Sequence, residues 1–579
     1  MTRPLTPQNK TLDRTACNWP DFLLILAIFS LIAVVVQTAA QFSGSYSPAL
    51  KIETSVTVLP AYTAQTLLRM GVAYFLSLLF TLIYAYSAYR FPLAAKFLIP
   101  LLDILQSIPV LSFLPGVVLA LITLFPGERI GVELAAILLI FTGMTWNMTF
   151  SFYQSLCGIP RELREAARVY RLNAWQQFWT LELPAGAIGL VWNSVMSVAG
   201  GWFFLIAIES FTLGDKQFHL PGLGSFLGTA AEEGNFGAIA WGLSVLIAVI
   251  VAIDFFLWQP LIAWVEKFKM ETVEAQSSPR SAVLAFLRRS PTVRILTSRL
   301  LPVRESFDLA LARTFAPPSA VSADRSRRSP ISQWVSWLFV SGFALIVLWG
   351  TWEAVMLLRV LGLSDWQKVI AGAIFTALRV LSALLLSLLW AVPVGVAIGR
   401  NPRLAQVLQP LVQIAASVPA TALFPVLLLL LTQIGGGLQI GSVALMMLGT
   451  MWYLLFNVIA GAQAIPSDLF EAAKIYKLSL IERWRTVILP GIFPYLITGI
   501  ITAVGGAWNA SIVSEYVQFK GQVIVTAGLG ATISQATATG NFPLLLAATS
   551  VMSLLVVLTN RLVWRPLYRL AQEKYQLLV

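Results

Sequence analysis

Charged side chains make up only 11% of this 579-residue chain, histidine occurs once and cysteine twice. A soluble domain carries about 25% charged residues, so the shortage of charge excludes an ordinary water-soluble fold. Cys17 and Cys157 fit no disulfide framework and no metal-ligand spacing. His219 stands alone in a polar loop and reads as a surface residue. No metal site and no cofactor are expected. The chain also lacks a G-x-x-x-x-G-K-[ST] loop of the kind that cradles nucleotide phosphates, so it is not expected to be an enzyme.

What is present is apolar. Hydrophobic residues make up 58% of the chain, and runs of about 20 such residues cross a bilayer as helices. The sequence predicts an all-α integral membrane protein with twelve spans. Six lie near 21–41, 65–89, 98–120, 131–153, 186–208 and 236–262; six more lie near 332–357, 371–397, 406–430, 437–460, 491–513 and 541–564. The first run ends at Thr38-Ala39-Ala40, a small-residue site of the kind that follows a signal peptide. It is too long for a typical signal core and matches the run at 332–357, so it is read as a span. The net charge of +12 needs no nucleic acid to explain it, because lysine and arginine gather in cytosolic loops. The segment 265–330 alone holds twelve Lys/Arg against six Asp/Glu. Both termini are expected to be cytosolic.

The chain repeats itself. Residues 160–184 align without a gap to 466–490, with ten of 25 positions identical. At the same offset of 306, Gly222-Leu223-Gly224 matches Gly528-Leu529-Gly530, Gly234-Asn235-Phe236 matches Gly540-Asn541-Phe542, Trp202 matches Trp508, and Glu209 matches Glu515. Upstream the offset is 310: Thr66, Leu68 and Arg69 match Thr376, Leu378 and Arg379, and Ser107, Pro109 and Pro115 match Ser417, Pro419 and Pro425. The first half has four extra residues near Gly127-Glu128-Arg129. Residues 1–265 and 331–579 are therefore expected to be two copies of one six-span unit. An even number of spans gives both copies the same orientation, a parallel repeat about an axis along the membrane normal. Residues 266–330 form a Ser-, Pro- and Arg-rich linker. Its piece 281–314 mixes apolar and basic residues; lying on the inner membrane surface and being merely solvated are both open.

The repeated loop has a physical design. Pro160 and Pro466 suit the first turn of a helix, and Glu162, Glu165, Asp468 and Glu471 suit its dipole. Pro184 and Pro490 disfavour helix at the residue before them, where the chain re-enters the membrane. Each loop thus begins Glu165-Ala166-Ala167 or Glu471-Ala472-Ala473, continues through Tyr170 or Tyr476, and ends Leu183-Pro184 or Leu489-Pro490.

On these residues the chain resembles the permeases of binding-protein-dependent ABC importers, which carry such an EAA loop between late spans. The Ser-Ile-Pro and Ser-Val-Pro segments at 107–109 and 417–419, with the repeated Gly-Asn-Phe, resemble the nitrate/sulfonate/taurine branch. The resemblance implies that each loop docks into a cytosolic ATPase subunit, two per chain, with Glu165 and Glu471 as anchors. Tyr170/Tyr476 and Phe178/Trp484 would fill the ATPase cleft. It also implies an extracytoplasmic solute-binding protein, a small anion as cargo, and a bacterial inner membrane. One departure stands out. Where the family usually has glycine, six residues after the glutamate, this chain has Arg171 and Lys477. Either the turn is built differently, or the cations face the partner or the lipid head groups.

Ionisable groups inside a membrane are functional suspects. Asp103, Gln106 and Ser107, with Gln413 and Ser417 in the second half, are candidates for the translocation path or for helix–helix hydrogen bonds. Pro109, Pro115, Pro419 and Pro425 are expected to break the third spans. Glu209 and Glu515 are expected to face water or an outer partner. The alternative function is an ion-coupled secondary transporter with two parallel six-helix halves. That would need coupling-ion sites at mid-membrane, of which Asp103 is the main candidate, without a duplicated acid at Gln413. A membrane scaffold would leave the paired loops unexplained.

Overall fold

A bilayer core offers backbone groups no water, so apolar segments close their hydrogen bonds internally as helices. The computed structural model describes residues 52–106, 109–126, 129–213, 216–268, 283–285, 342, 345, 348–418, 420–424, 427, 437–519 and 522–574. Among them, eight helical stretches are long and apolar enough to cross a membrane. They coincide with the predicted second, fourth, fifth and sixth spans of each half. The predicted span at 21–41 lies outside the described residues. Of the one at 332–357, the described part from 348 onward is helical.

The first half runs α1 (Leu59–Arg90), α2 (Pro92–Leu105), a 3-10 turn (Val110–Phe113), α3 (Leu114–Leu124), α4 (Arg129–Cys157), α5 (Arg161–Val169), α6 (Ala174–Gln177), α7 (Leu183–Glu209), a hairpin of β1 (Ser210–Leu213) and β2 (Lys216–His219), α8 (Leu223–Glu233), α9 (Phe236–Ile253) and α10 (Gln259–Val265). The second runs α11 (Leu363–Arg400), α12 (Pro402–Ser417), α13 (Gly437–Ala464), α14 (Ser467–Ile475), α15 (Leu480–Arg483), α16 (Leu489–Ser514), β3 (Tyr516–Phe519), β4 (Gln522–Val525), α17 (Leu529–Ala538), α18 (Phe542–Thr559) and α19 (Arg565–Lys574). The repeat reaches fine detail. π-helical turns occur at Phe178–Glu182 and Trp484–Ile488, and again at Asp254–Trp258 and Asn560–Trp564. Both hairpins are antiparallel, pairing Ser210 with His219 and Tyr516 with Val525. His219 is not a free surface residue. It is half-buried, its Nδ1 lies 3.1 Å from Ser210 Oγ across the hairpin, and burial holds it below the ordinary imidazole range.

In each half the second, fourth and fifth spans pack as a triad, α4 against α1 and α7, and α13 against α11 and α16. The third span of the first half is broken as predicted. α2 stops short of Pro109, and the chain resumes in the 3-10 turn, where Ser112 N donates to Pro109 O at 3.1 Å. In the second half α12 ends at Ser417, two residues before Pro419. These breaks hold the halves together. Val110 N donates to Asn509 Oδ1 of α16 at 2.8 Å, and Thr421 Oγ1 donates to the Phe203 carbonyl of α7 at 2.9 Å. At the opposite end from the repeated loops, β1 packs against α17 and β3 against α8.

The hairpin end also corrects an expectation. Glu209 and Glu515 do not face water; both are fully buried. Glu209 pairs with Arg69 at 2.6 Å, accepts from Thr66 Oγ1 at 2.9 Å, and accepts from Gly224 N at 2.7 Å. Glu515 pairs with Arg379 at 2.8 Å and accepts from Thr376 Oγ1 and from Gly530 N. The Thr66 and Thr376 hydroxyls in turn accept from Leu223 N and Leu529 N. The repeated Thr-x-x-Arg, Glu and Gly-Leu-Gly features thus form one cluster per half. In it, a carboxylate satisfies the free N–H groups at the start of α8 or α17. Gly222 and Gly528 are required because a Cβ there would collide with the carboxylate. The clusters differ in one member: Arg69 also grips Glu133, at 3.0 Å from Nη2, whereas Gln439 stands at that place in the second half.

Removing one partner of a buried ion pair strands the other and costs about 3–5 kcal/mol. Arg69→Met is therefore expected to lower the thermal unfolding temperature sharply, and more than Arg379→Met, since Arg379 serves one carboxylate. Equal or negligible shifts in a detergent melt would contradict this account of the clusters.

Candidate functional site

The repeated loops are rigid turns. In the first, α5 ends in a Schellman motif: Arg171 N donates to Arg168 O and Leu172 N to Ala167 O, both at 3.0 Å. Lys477 N and Leu478 N repeat the pair with Lys474 O and Ala473 O. The residue after such a helix cap sits in the left-handed region, and here it is Arg171 with φ 51° and Lys477 with φ 52°. Among the described residues these are the two non-glycine residues with positive φ. The turn is therefore built as a glycine turn, and of the two readings left open, a different backbone is excluded. A non-glycine residue there carries about 1–2 kcal/mol of strain. The alanines have their reason too: Ala167 and Ala473 supply the carbonyls of the motif and are buried, at 6% and 2% exposure.

Two residues later a new helix starts in a capping box. Gln176 N donates to Asn173 Oδ1 at 2.8 Å while Asn173 N donates to Gln176 Oε1; Ser479 and Glu482 repeat the exchange. The prolines Pro160 and Pro466 cap the helices from just outside rather than filling the first turn. The expected helix break before Leu-Pro does not occur. Leu183 and Leu489 are helical, and their N–H groups donate five residues back, to Phe178 O and Trp484 O. The widened π turn makes room for a proline ring that would clash with an ordinary helical carbonyl. Leu183 and Pro184 are half-buried, as is Pro490, while Leu489 is 42% exposed.

Each loop helix is pinned by a cation–π contact with the cation on opposite partners. In the first half Arg164 of α5 lies 5.7 Å from the ring of Tyr89 on α1 and donates to Cys157 O at 2.9 Å. In the second, Arg400 of α11 lies 3.3 Å from the ring of Phe470 on α14.

The outward faces match between copies. Glu165, Arg171, Glu471 and Lys477 are exposed, and Ala166 and Ala472 half-buried. Tyr170 and Tyr476 are both 79% exposed. Beside them Val169 and Ile475 are as open, a pair the sequence reading passed over; two branched apolar residues in otherwise charged helices were the available signal. The expectation for Phe178 and Trp484 does not hold. Phe178 packs edge-on against Tyr86 at 5.2 Å, and Trp484 packs on the cluster around Ile465 and Ile492, so both are used inside their own half.

Of the predicted path residues, Asp103 lies in α2 and Gln106 just after it, half-buried. Gln413 and Ser417 lie in α12. Ser107, and the side chains of Asp103, Gln413 and Ser417, fall outside the described residues. The fifth spans, which carry none of the predicted path residues, meet the seam between the halves differently. α16 presents Thr498, Thr502, Gly505 and Asn509 on one face, with open space around Gly505. Their counterparts on α7 are Trp192, Met196, Ala199 and Phe203. The Thr498 and Thr502 hydroxyls donate to Pro494 O and Thr498 O at 3.0 Å, so neither is left unsatisfied.

Residues 74–268 and 391–564 each match the family described as binding-protein-dependent transport system inner membrane component. The chain belongs to this family. It is a permease in duplicate, an all-α integral membrane protein of two repeated units. Similar proteins include the nitrate import permease protein NrtB of Leptolyngbya laminosa, 28% identical over 24% of this chain and 48% of that one. The bicarbonate transport system permease protein CmpB of Synechocystis sp. is 29% identical over 24% of this chain and 48% of its own length. The taurine transport system permease protein TauC of Escherichia coli is 26% identical over 30% of this chain and 57% of its own length. The permease spans about half the length of the curated relatives it matches.

A cation–π contact contributes about 0.5–2 kcal/mol. Tyr89→Leu is expected to loosen α5, and Phe470→Leu α14, each speeding amide hydrogen exchange in its own loop helix several-fold. Unchanged exchange in both would mean that these contacts do not pin the loops.

Proposed function

We propose that this permease is the whole translocation core of an ATP-driven importer, two fused units of about 1–265 and 331–579 joined by the basic linker. The observation that carries the reading is the pair of loops with the same capped turn, each showing an open tyrosine and glutamate at the same end of its half. Two ATPase subunits would dock there, one per loop. A solute-binding protein would dock at the hairpin end, outside a bacterial inner membrane, with both termini and both loops in the cytosol. One chain supplies what two separate permease chains would otherwise supply, so a single copy forms the transporter.

The cargo is a small oxyanion. Nitrate, bicarbonate and taurine, named for the relatives, each present a compact, oxygen-bearing anionic group. The solute passes along the seam, on the α16 face of Thr498, Thr502 and Asn509. The threonine hydroxyls are held by their own helix until a solute draws the proton outward, so the empty path leaves nothing unsatisfied. The α7 face carries Trp192 and Met196 in their place and no hydroxyl, so the halves share structure but not duty.

Glu165→Arg combined with Glu471→Arg is expected to abolish both ATPase association and uptake while the permease still inserts and folds. Intact ATPase binding in a pull-down would overturn the docking assignment. Thr498→Val with Thr502→Val, which keeps shape and removes the hydroxyls, is expected to lower uptake of nitrate, bicarbonate or taurine at least fivefold with ATPase binding unchanged. Full uptake of all three would remove these residues from the path.

A further inference from the structure

The two strained cations at the loop tips have no work inside the chain. Arg171 and Lys477 are exposed, and among the described residues neither makes an ion pair or a side-chain hydrogen bond. Both occupy the left-handed conformation that glycine adopts without strain. The two copies have diverged at most of the surrounding positions, and even here one has arginine and the other lysine. What they share at this point is positive charge on a backbone that disfavours it. Residues in sparsely populated backbone regions persist where the site has a use for them.

We propose that Arg171 and Lys477 each read an acidic site, one or more carboxylates, on the ATP-hydrolysing subunit that receives the loop. This rests on the docking reading above and adds to it the chemistry of the partner surface. The position decides between a protein cleft and the membrane. Attraction to anionic head groups is diffuse, and Arg168 or Lys474, three residues earlier on unstrained helix, would serve it equally well. The exposed Glu165 and Glu471 on the same helices would also repel such a surface. A charge fixed at one strained point, next to an open tyrosine and an open branched residue, fits a shaped cleft with an acidic wall and an apolar floor. The two tips then share one docking chemistry, despite the different cations.

The test uses the full permease in nanodiscs of phosphatidylcholine and the ATPase subunit that co-purifies with it. Arg171→Gly with Lys477→Gly is expected to raise the unfolding temperature of the permease alone, because strain is relieved. The same variant is expected to bind the ATPase at least tenfold more weakly, with a shallower dependence on salt. Arg171→Asn with Lys477→Asn, which tolerates the left-handed turn without charge, should weaken binding equally. Unchanged affinity in both variants would overturn the proposal. So would a loss seen only in nanodiscs containing phosphatidylglycerol, which would assign the cations to lipid. The Glu165→Arg, Glu471→Arg permease separates the two levels. If it still binds the ATPase, the docking reading itself fails; if it does not bind while the glycine variant binds normally, only the acidic-site inference fails.

Discussion

Inside a bilayer a break in a helix must find partners for the backbone groups it frees, and this permease is organised around that constraint. Its spans are interrupted or bent at a few places, and each is repaired from a specific source. The turn after Pro109 receives Asn509 from the opposite half. The open starts of α8 and α17 receive the buried carboxylates of Glu209 and Glu515. The Leu-Pro steps are absorbed by π turns. The first two repairs tie together elements that plain apolar helices would leave free to slide, since lipid is as good a neighbour as another leucine. The apolar residues put the spans in the membrane; the polar ones decide how they are joined.

This arrangement has a mechanical consequence. α7 begins at the first repeated loop and ends on Glu209, one helix of 27 residues, about 40 Å long. α16 does the same from the second loop to the start of the Glu515 cluster. A load on either loop is therefore delivered along a stiff rod to the hairpin end, where β1 leans on α17 and β3 on α8. The two ends of each half are joined by a single element, and the two halves meet where each hairpin packs on a helix of the other half.

Much of this was legible in the sequence, and the limits were physical. Apolar run length placed the described spans, and the internal offset placed equivalent positions to the residue, including both loops and the break before Pro109. Three of the misjudged features show the limits. Glu209 and Glu515 looked like outer-surface acids, since nothing local shows that Arg69 and Arg379, some 140 positions earlier, come to meet them. Their joint repetition with Thr66 and Gly222 was the available clue. Phe178 and Trp484 looked like docking aromatics because a helical period cannot tell an inward from an outward face without knowing what packs against it. The Leu-Pro step looked like a helix end because the local rule for the residue before proline holds for an α-helical turn, and a π turn escapes it. The cations at Arg171 and Lys477 were the converse case: the sequence posed the question, and a backbone angle answered it.

The duplication is close in backbone and looser in chemistry. Glu133 corresponds to Gln439, the Tyr89–Arg164 contact has its counterpart in Arg400 and Phe470, and Thr498 and Thr502 of α16 correspond to Trp192 and Met196 of α7. What is kept in both copies is the capped loop turn; what has drifted is the contacts that support it and the face along the seam. Under the proposed docking, one chain carries two equivalent loops. Native mass measurement of the permease purified with its ATPase tests this most directly. One permease chain with two ATPase subunits is the predicted mass; a complex with a single ATPase subunit, or with two permease chains, would contradict it.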